Sequence, residues 1–238
     1  MPSTFRRRGI CAINLKGKGK KDMFINYLSL LPAGLALILA SSFPRNNSVQ
    51  QVNPTYESLL EQVKKSDPAA NFTALRIAYA DAPSKEGSDV IPFSDASRSM
   101  YSAMQDKKYE KAIEYAEKVL KAKFVDINAH MIASAAYKEK GDTEKEQFHR
   151  YVATGLIKSI LSSGDGKTQE TAFKVISTDE EYVILRVYGL MPQSQSLLNA
   201  KGHSYDRLDA VDPKTKEKVS LYFNIDIPFG ALKKIIEK

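Results

Sequence analysis

The chain has 238 residues, 43% of them hydrophobic and 26% charged, the balance of a globular protein of one domain or two small ones rather than of a disordered chain. Its formal charge of +7 does not mark a nucleic-acid binder. Seven cations against one acid within residues 1–22 account for +6 of it, which leaves +1 for everything beyond.

The basic stretch, Arg6, Arg7, Arg8, Lys16, Lys18, Lys20 and Lys21, runs into an apolar segment from Met23 to Ala40, densest from Leu30, and then into Ser41-Ser42. Cations, an apolar run and small residues at Ala40 and Ser42 have the order of a secretory signal, so cleavage is expected after Ser42 and the mature protein begins near Phe43. The alternative is an uncleaved inner-membrane anchor over residues 23–40, since 18 residues come close to the roughly 20 that span a bilayer. Asn26, Pro32 and Gly34 count against it. Either way the rest of the chain is expected to be exported, to the periplasm or the cell surface, because positive charge stays on the cytoplasmic side. The single cysteine, Cys11, precedes the apolar segment, so the mature part holds neither disulfide nor catalytic thiol. Asn46-Asn47-Ser48 and Asn71-Phe72-Thr73 match glycosylation sequons, which matter only in a eukaryotic host.

A polar linker, residues 43–52, leads to Asn53-Pro54, which reads as a cap with Pro at the first helical position. Tyr56, Leu59, Leu60 and Val63 then supply the stripe of a short helix near 54–65. Asp67-Pro68 is expected to open a second, with Phe72, Leu75, Ala78 and Tyr79 on one face. Pro83 closes it, and Ser84 to Pro92 is a loop. Four helices follow, at about 94–105, 108–122, 127–140 and 143–162. Within them the pattern from Lys107 to Leu120 recurs in outline 34 positions later, the period of the tetratricopeptide repeat. Ala112, Ala116, Ala133, Ala136 and Ala153 would let paired helices approach, while Tyr109, Tyr137 and Phe148 fill the grooves. The match loosens at Glu146 and Arg150, where apolar residues are expected. About one and a half to two repeats result, fewer than the roughly three that bury a solenoid core. The flanking helices and the segment after Gly164 must therefore cover the open faces, in one compact unit.

From Ala172 the pattern changes. Residues 172–177 read as a strand, Asp179 to Tyr188 suits either helix or strand, and Gln193 to Leu198 reads as another strand. Val219 to Ile227 alternates strictly, with Val219, Leu221, Phe223, Ile225 and Ile227 on one face. The turn-rich Asp212-Pro213-Lys214-Thr215-Lys216-Glu217 makes Ser204–Val211 its antiparallel partner. Burying Leu208 and Ala210 opposite Leu221 and Val219 fixes the register. On the polar face Arg207 then faces Tyr222, Tyr205 faces Asn224, and His203 faces Asp226. His203, Tyr205, Asn224 and Asp226 are the candidate binding residues, the one group here able to hold a polar ligand or handle a proton. Against that stands a solvated sheet face with cross-strand polar pairs.

Other chemistry is set aside. Gly164-Asp165-Gly166-Lys167-Thr168 lacks the first glycine of a phosphate loop, and a helix precedes it rather than a strand; it reads as a helix C-cap and turn. His130, His149 and His203 have no metal-ligand spacing, and His130 and His149 lie within helices, where packing roles dominate. No nucleophile elbow occurs. No catalytic residue, metal or cofactor is assigned.

Phe72-Thr-Ala-Leu-Arg-Ile-Ala-Tyr79, Ala153-Thr-Gly-Leu-Ile157, Ser163-Gly-Asp-Gly-Lys-Thr168 with Thr171-Ala-Phe173, Gly202-His-Ser-Tyr-Asp206 and Tyr222-Phe-Asn-Ile-Asp-Ile-Pro228 resemble an uncharacterised bacterial exported family, domain-of-unknown-function family 4919, across nearly the whole mature chain. The resemblance implies a bacterial envelope setting, and it carries over no assignment of activity, cofactor or catalytic residues.

The fold class expected is α+β: a tetratricopeptide-like bundle (53–162), then a small antiparallel sheet and a C-terminal helix (163–238), after the signal or anchor (1–42) and linker (43–52). The expected role is a non-enzymatic protein-binding or scaffold module whose partner is another envelope protein, with no nucleic acid and with membrane contact only through an uncleaved N-terminal segment. The alternative is a small-ligand-binding protein or hydrolase-like enzyme built on His203 and Asp226.

Overall fold

The computed structural model describes residues 54–82 and 95–230. The signal or anchor with Cys11, the linker, the Asn46 sequon, Asn53, Pro83 and the loop after it, and the end of the C-terminal helix lie outside the described residues. The described residues belong to one compact unit, Pro54–Lys238. Among them, no helix is long and apolar enough to cross a membrane.

The first helix, α1 (Tyr56–Lys64), is capped by Thr55 rather than Asn53: the Ser58 amide donates to its hydroxyl, 3.3 Å away. α2 (Phe72–Asp81) begins four residues later than Asp67-Pro68 suggested. Asp67 accepts from the Ala69 amide at 2.8 Å, closing a local turn, and Asn71 caps the helix through the Ala74 amide. α3 (Asp95–Gln105) and α4 (Tyr109–Ala122) form one hairpin, α5 (Ile127–Lys140) and α6 (Thr143–Leu161) a second. Alanines at 112, 116, 133, 136 and 153 are buried between them. They let the backbones close up as the sequence pattern requires. Glu146, which broke that pattern, is buried and paired with Arg150 one turn on, at 3.0 Å.

Gly155 on α6 serves the same close approach. A Cβ there would lie 2.3 Å from the ring of Phe72 on α2, and Phe72 is in turn set edge-on against Tyr151, centroids 5.3 Å apart. Gly155→Ala should therefore cost about 1–3 kcal/mol through overpacking, read from the urea midpoint; an unchanged midpoint would show that Phe72 moves freely.

The sheet is mixed rather than purely antiparallel, in the order β1-β4-β3-β2. β2 (Met191–Ala200), β3 (His203–Val211) and β4 (Lys218–Asn224) form an antiparallel meander, while β1, cut to Phe173–Lys174, lies parallel beside β4. β1 is short because the chain turns at once into α7 (Thr178–Tyr188), which resolves the ambiguous stretch as helix and ends at Gly189 with φ 72°. The expected register holds: Leu208 pairs with Leu221, Ala210 with Val219, Arg207 with Tyr222 and Tyr205 with Asn224. One core runs through α1, α2, α6, α7 and the buried sheet face, including Leu75, Leu156, Ile160, Phe173, Ile184, Leu208 and Phe223. The residue 164–171 turn lies against β4: the Gly166 carbonyl accepts from the Tyr222 amide at 2.8 Å.

Candidate functional site

The structure brings His203, Tyr205, Asn224 and Asp226 together at the start of β3. His203 Nδ1 lies 2.6 Å from Asp226 Oδ2, the Asn224 amide donates to that same oxygen at 3.0 Å, and the Ser204 backbone amide donates to Oδ1 at 2.8 Å. The rings of His203 and Tyr205 meet edge-on with centroids 6.3 Å apart. Asp226 follows the end of β4 and opens the helical segment at 226–230. Burial pushes its carboxyl up, but the Ser204 amide and the His203 and Asn224 side chains outweigh that and hold it below the usual carboxylate range. Tyr205 is buried and His203 exposed. Both oxygens of Asp226 are thus taken up in joining β3 to the residues after β4. Further along the same face Asp209 accepts from Ser220, Ser194 and Arg207, a cross-strand polar ladder.

Among the described residues three further polar clusters lie inside the protein. Arg76, within the apolar face of α2, is 2% exposed. It forks onto Glu180 of α7 through Nε and Nη2, and it donates to Ser159 Oγ of α6 and to the Lys174 carbonyl of β1. Glu180 also accepts from the Ile176 amide at 2.9 Å. One guanidinium thereby joins four elements that are far apart in sequence.

Glu181, the next residue, points into the core with neither oxygen meeting a hydrogen-bond partner of normal geometry. Burial first, then the carboxylate of Asp206 on β3, push it up to about 9, so at neutral pH it carries a proton. Burial also raises Asp206, against a 2.6 Å hydrogen bond from Gln195 of β2, whose own carbonyl accepts from Tyr182. Asp206 shares the buried face of β3 with Leu208 and stands opposite Phe223.

His130 and His149, which no sequence spacing joins, meet across the α5–α6 hairpin with Nδ1 atoms 2.9 Å apart. His130 Nε2 lies 2.8 Å from the Phe124 carbonyl; it must donate there, which leaves its Nδ1 as acceptor for the Nδ1–H of His149. Both imidazoles are neutral in this arrangement. Burial, then His149, lowers His130 to about 3, and burial lowers His149 to about 4. Tyr137 stacks on His149, centroids 5.6 Å apart.

Among the described residues no three of His, Cys, Asp or Glu gather to hold a metal ion. A cleft of about 10 Å³ between the α4–α5 turn and the start of α7, lined by Lys123, Asp126, Ser177 and Asp179 among others, has room for about one water.

The chain belongs to the family described as Domain of unknown function (DUF4919), whose model matches residues 45–233. No curated protein and no solved structure matches it.

Proposed function

We propose that this family member is an exported, non-enzymatic protein-binding or scaffold module of the bacterial envelope, in which the α3–α4 and α5–α6 hairpins act as a tetratricopeptide-like platform. The observation that carries this reading is that the candidate polar site is engaged in holding the fold together. Asp226, the group that would serve as base, already accepts from Ser204, His203 and Asn224, so both of its oxygens serve in joining elements of the fold. The strongly perturbed carboxyl and imidazoles, at Glu181, His130 and His149, are buried in packing contacts. Export rests on the order of cations, apolar run and small residues at the N-terminus, and the mature chain would begin near Phe43. The small-ligand or hydrolase-like reading on His203 and Asp226 is favoured by a single feature, the exposed imidazole 2.6 Å from a carboxylate.

Capture from envelope extract with the parent and with Asp226→Asn separates the two. A specific partner retained equally by both proteins is the expected result. Loss of binding in Asp226→Asn at an unchanged melting temperature would move the function to the polar face, and absence of any specific partner would count against a binding module.

A further inference from the structure

We propose that the chain forms a two-fold symmetric dimer in which β2 pairs antiparallel with β2 of a second copy, joining the two sheets edge to edge. β2 is the terminal strand of the sheet, and its backbone bonds among the described residues go to β3 alone. Among the described residues its outer row of amides and carbonyls is therefore open to another strand. Edge strands ordinarily carry charges, proline or bulges that prevent such pairing. Here Pro192 and the irregularity between Pro192 and Ser194 protect only the first three residues. The other seven, Ser194 to Ala200, carry no charged side chain, in contrast to β3 beside them with His203, Asp206, Arg207 and Asp209. The opposite end of the sheet offers no comparable template, since β1 has two residues.

The occupant is a second copy because this unguarded window is complementary to itself. Its midpoint is Leu197, which is 51% exposed, the most exposed of the large hydrophobic side chains on the described surface. With the two-fold axis at that residue, Leu197 meets Leu197 of the second copy, Gln195 faces Asn199, Ser196 faces Leu198 and Ser194 faces Ala200. Leucine thus covers leucine on the axis, neutral amides flank it on the same face, and no like charges are opposed. Gln195 is already fixed by Tyr182 and Asp206, and Asn199 by Ser204, so both flanking amides are ordered before pairing. The inference does not depend on the proposed function.

The test uses the full chain in sedimentation velocity over a dilution series, comparing the parent with Leu197→Lys, which would place two ammonium groups together on the axis. A concentration-dependent dimer in the parent and a folded monomer in the variant, judged by circular dichroism, is the expected pair of results. A parent that stays monomeric at the highest concentration overturns the proposal, as does association unaffected by the lysine. Should Leu197→Lys fail to fold, the uncharged Leu197→Cys in a Cys11→Ser background decides. Mild oxidation should cross-link it to itself and should not cross-link Lys214→Cys in the β3–β4 turn; equal or absent cross-linking at the two positions overturns the proposal.

Discussion

Replacing Arg76 by Met should lower the unfolding free energy by about 3–5 kcal/mol, the loss typical when one partner of a buried ion pair is removed. Arg76 and Glu180 have side chains only 2% and 5% exposed, so the surviving carboxylate would stay in the core with only the Ile176 amide beside it. The Coulombic attraction itself is not the main term, because burying both ions costs several kcal/mol each. The double variant Arg76→Met, Glu180→Gln should therefore recover most of the loss. A neutral amide can still accept from Ile176, and the Ser159 hydroxyl keeps its bond to the Leu156 carbonyl. Urea unfolding of the three proteins checks this. If the double variant is as unstable as the single one, the guanidinium is needed for its contacts to Ser159 and Lys174 rather than for neutralising Glu180. If the single variant loses under 1 kcal/mol, the pair is solvated.

Those partners show why some of this protein was legible in its sequence and some was not. The β3–β4 register could be read because strict alternation over Val219–Ile227 leaves two choices of face, and a turn-rich Asp212–Glu217 leaves one alignment that buries Leu208 with Leu221. The same alternation also held the signal for Asp206: two residues before Leu208 it must share the buried face, and a buried acid needs a proton, a cation or a donor. Helix α7 was harder. Val183, Ile184 and Leu185 are consecutive and all buried, so neither the helical nor the strand period stands out, and β-branched residues favour strand. The fold decides the matter by anchoring Glu180 to Arg76 at one end and placing Gly189 in the left-handed conformation at the other. Arg76 sits among Leu75, Ile77 and Ala78, and its partner is 104 residues away. The His130–His149 contact depends on how α5 crosses α6 beyond the Gly141–Asp142 turn, a property of packed helices that no local spacing encodes.

Glu181→Gln should stabilise the protein at alkaline pH and leave it nearly unchanged at pH 4. In the unfolded chain a glutamate ionises above about pH 4.3, whereas in the fold burial and the Asp206 carboxylate keep the Glu181 proton up to about 9. Between those values the folded state binds more protons than the unfolded one, so stability falls as pH rises, by up to about 1.4 kcal/mol per pH unit for this one group. Glutamine imitates the protonated acid, stays uncharged at every pH, and removes the slope. The histidine pair acts in the opposite direction. Its unfolded imidazoles take up protons below about pH 6.5, but the folded ones stay neutral down to about 3 for His130 and about 4 for His149, so stability is full above the unfolded value and is lost as pH falls through that window. Taken alone, the two effects make stability greatest near pH 6.5: His130 and His149 contribute to the acid limb, beside carboxylates such as Asp226 that the fold holds below their usual range, and Glu181 contributes to the alkaline limb. Melting temperature against pH for the parent and for Glu181→Gln should coincide only below about pH 4.3; above it the variant should rise more steeply up to about pH 6.5 and stay flatter on the alkaline side. Parallel curves on the alkaline side would mean that Glu181 is ionised in the fold. An imidazole of His130 or His149 titrating near 6.5 in the folded protein, followed by NMR, would break the neutral pair from which its share of the acid limb is derived.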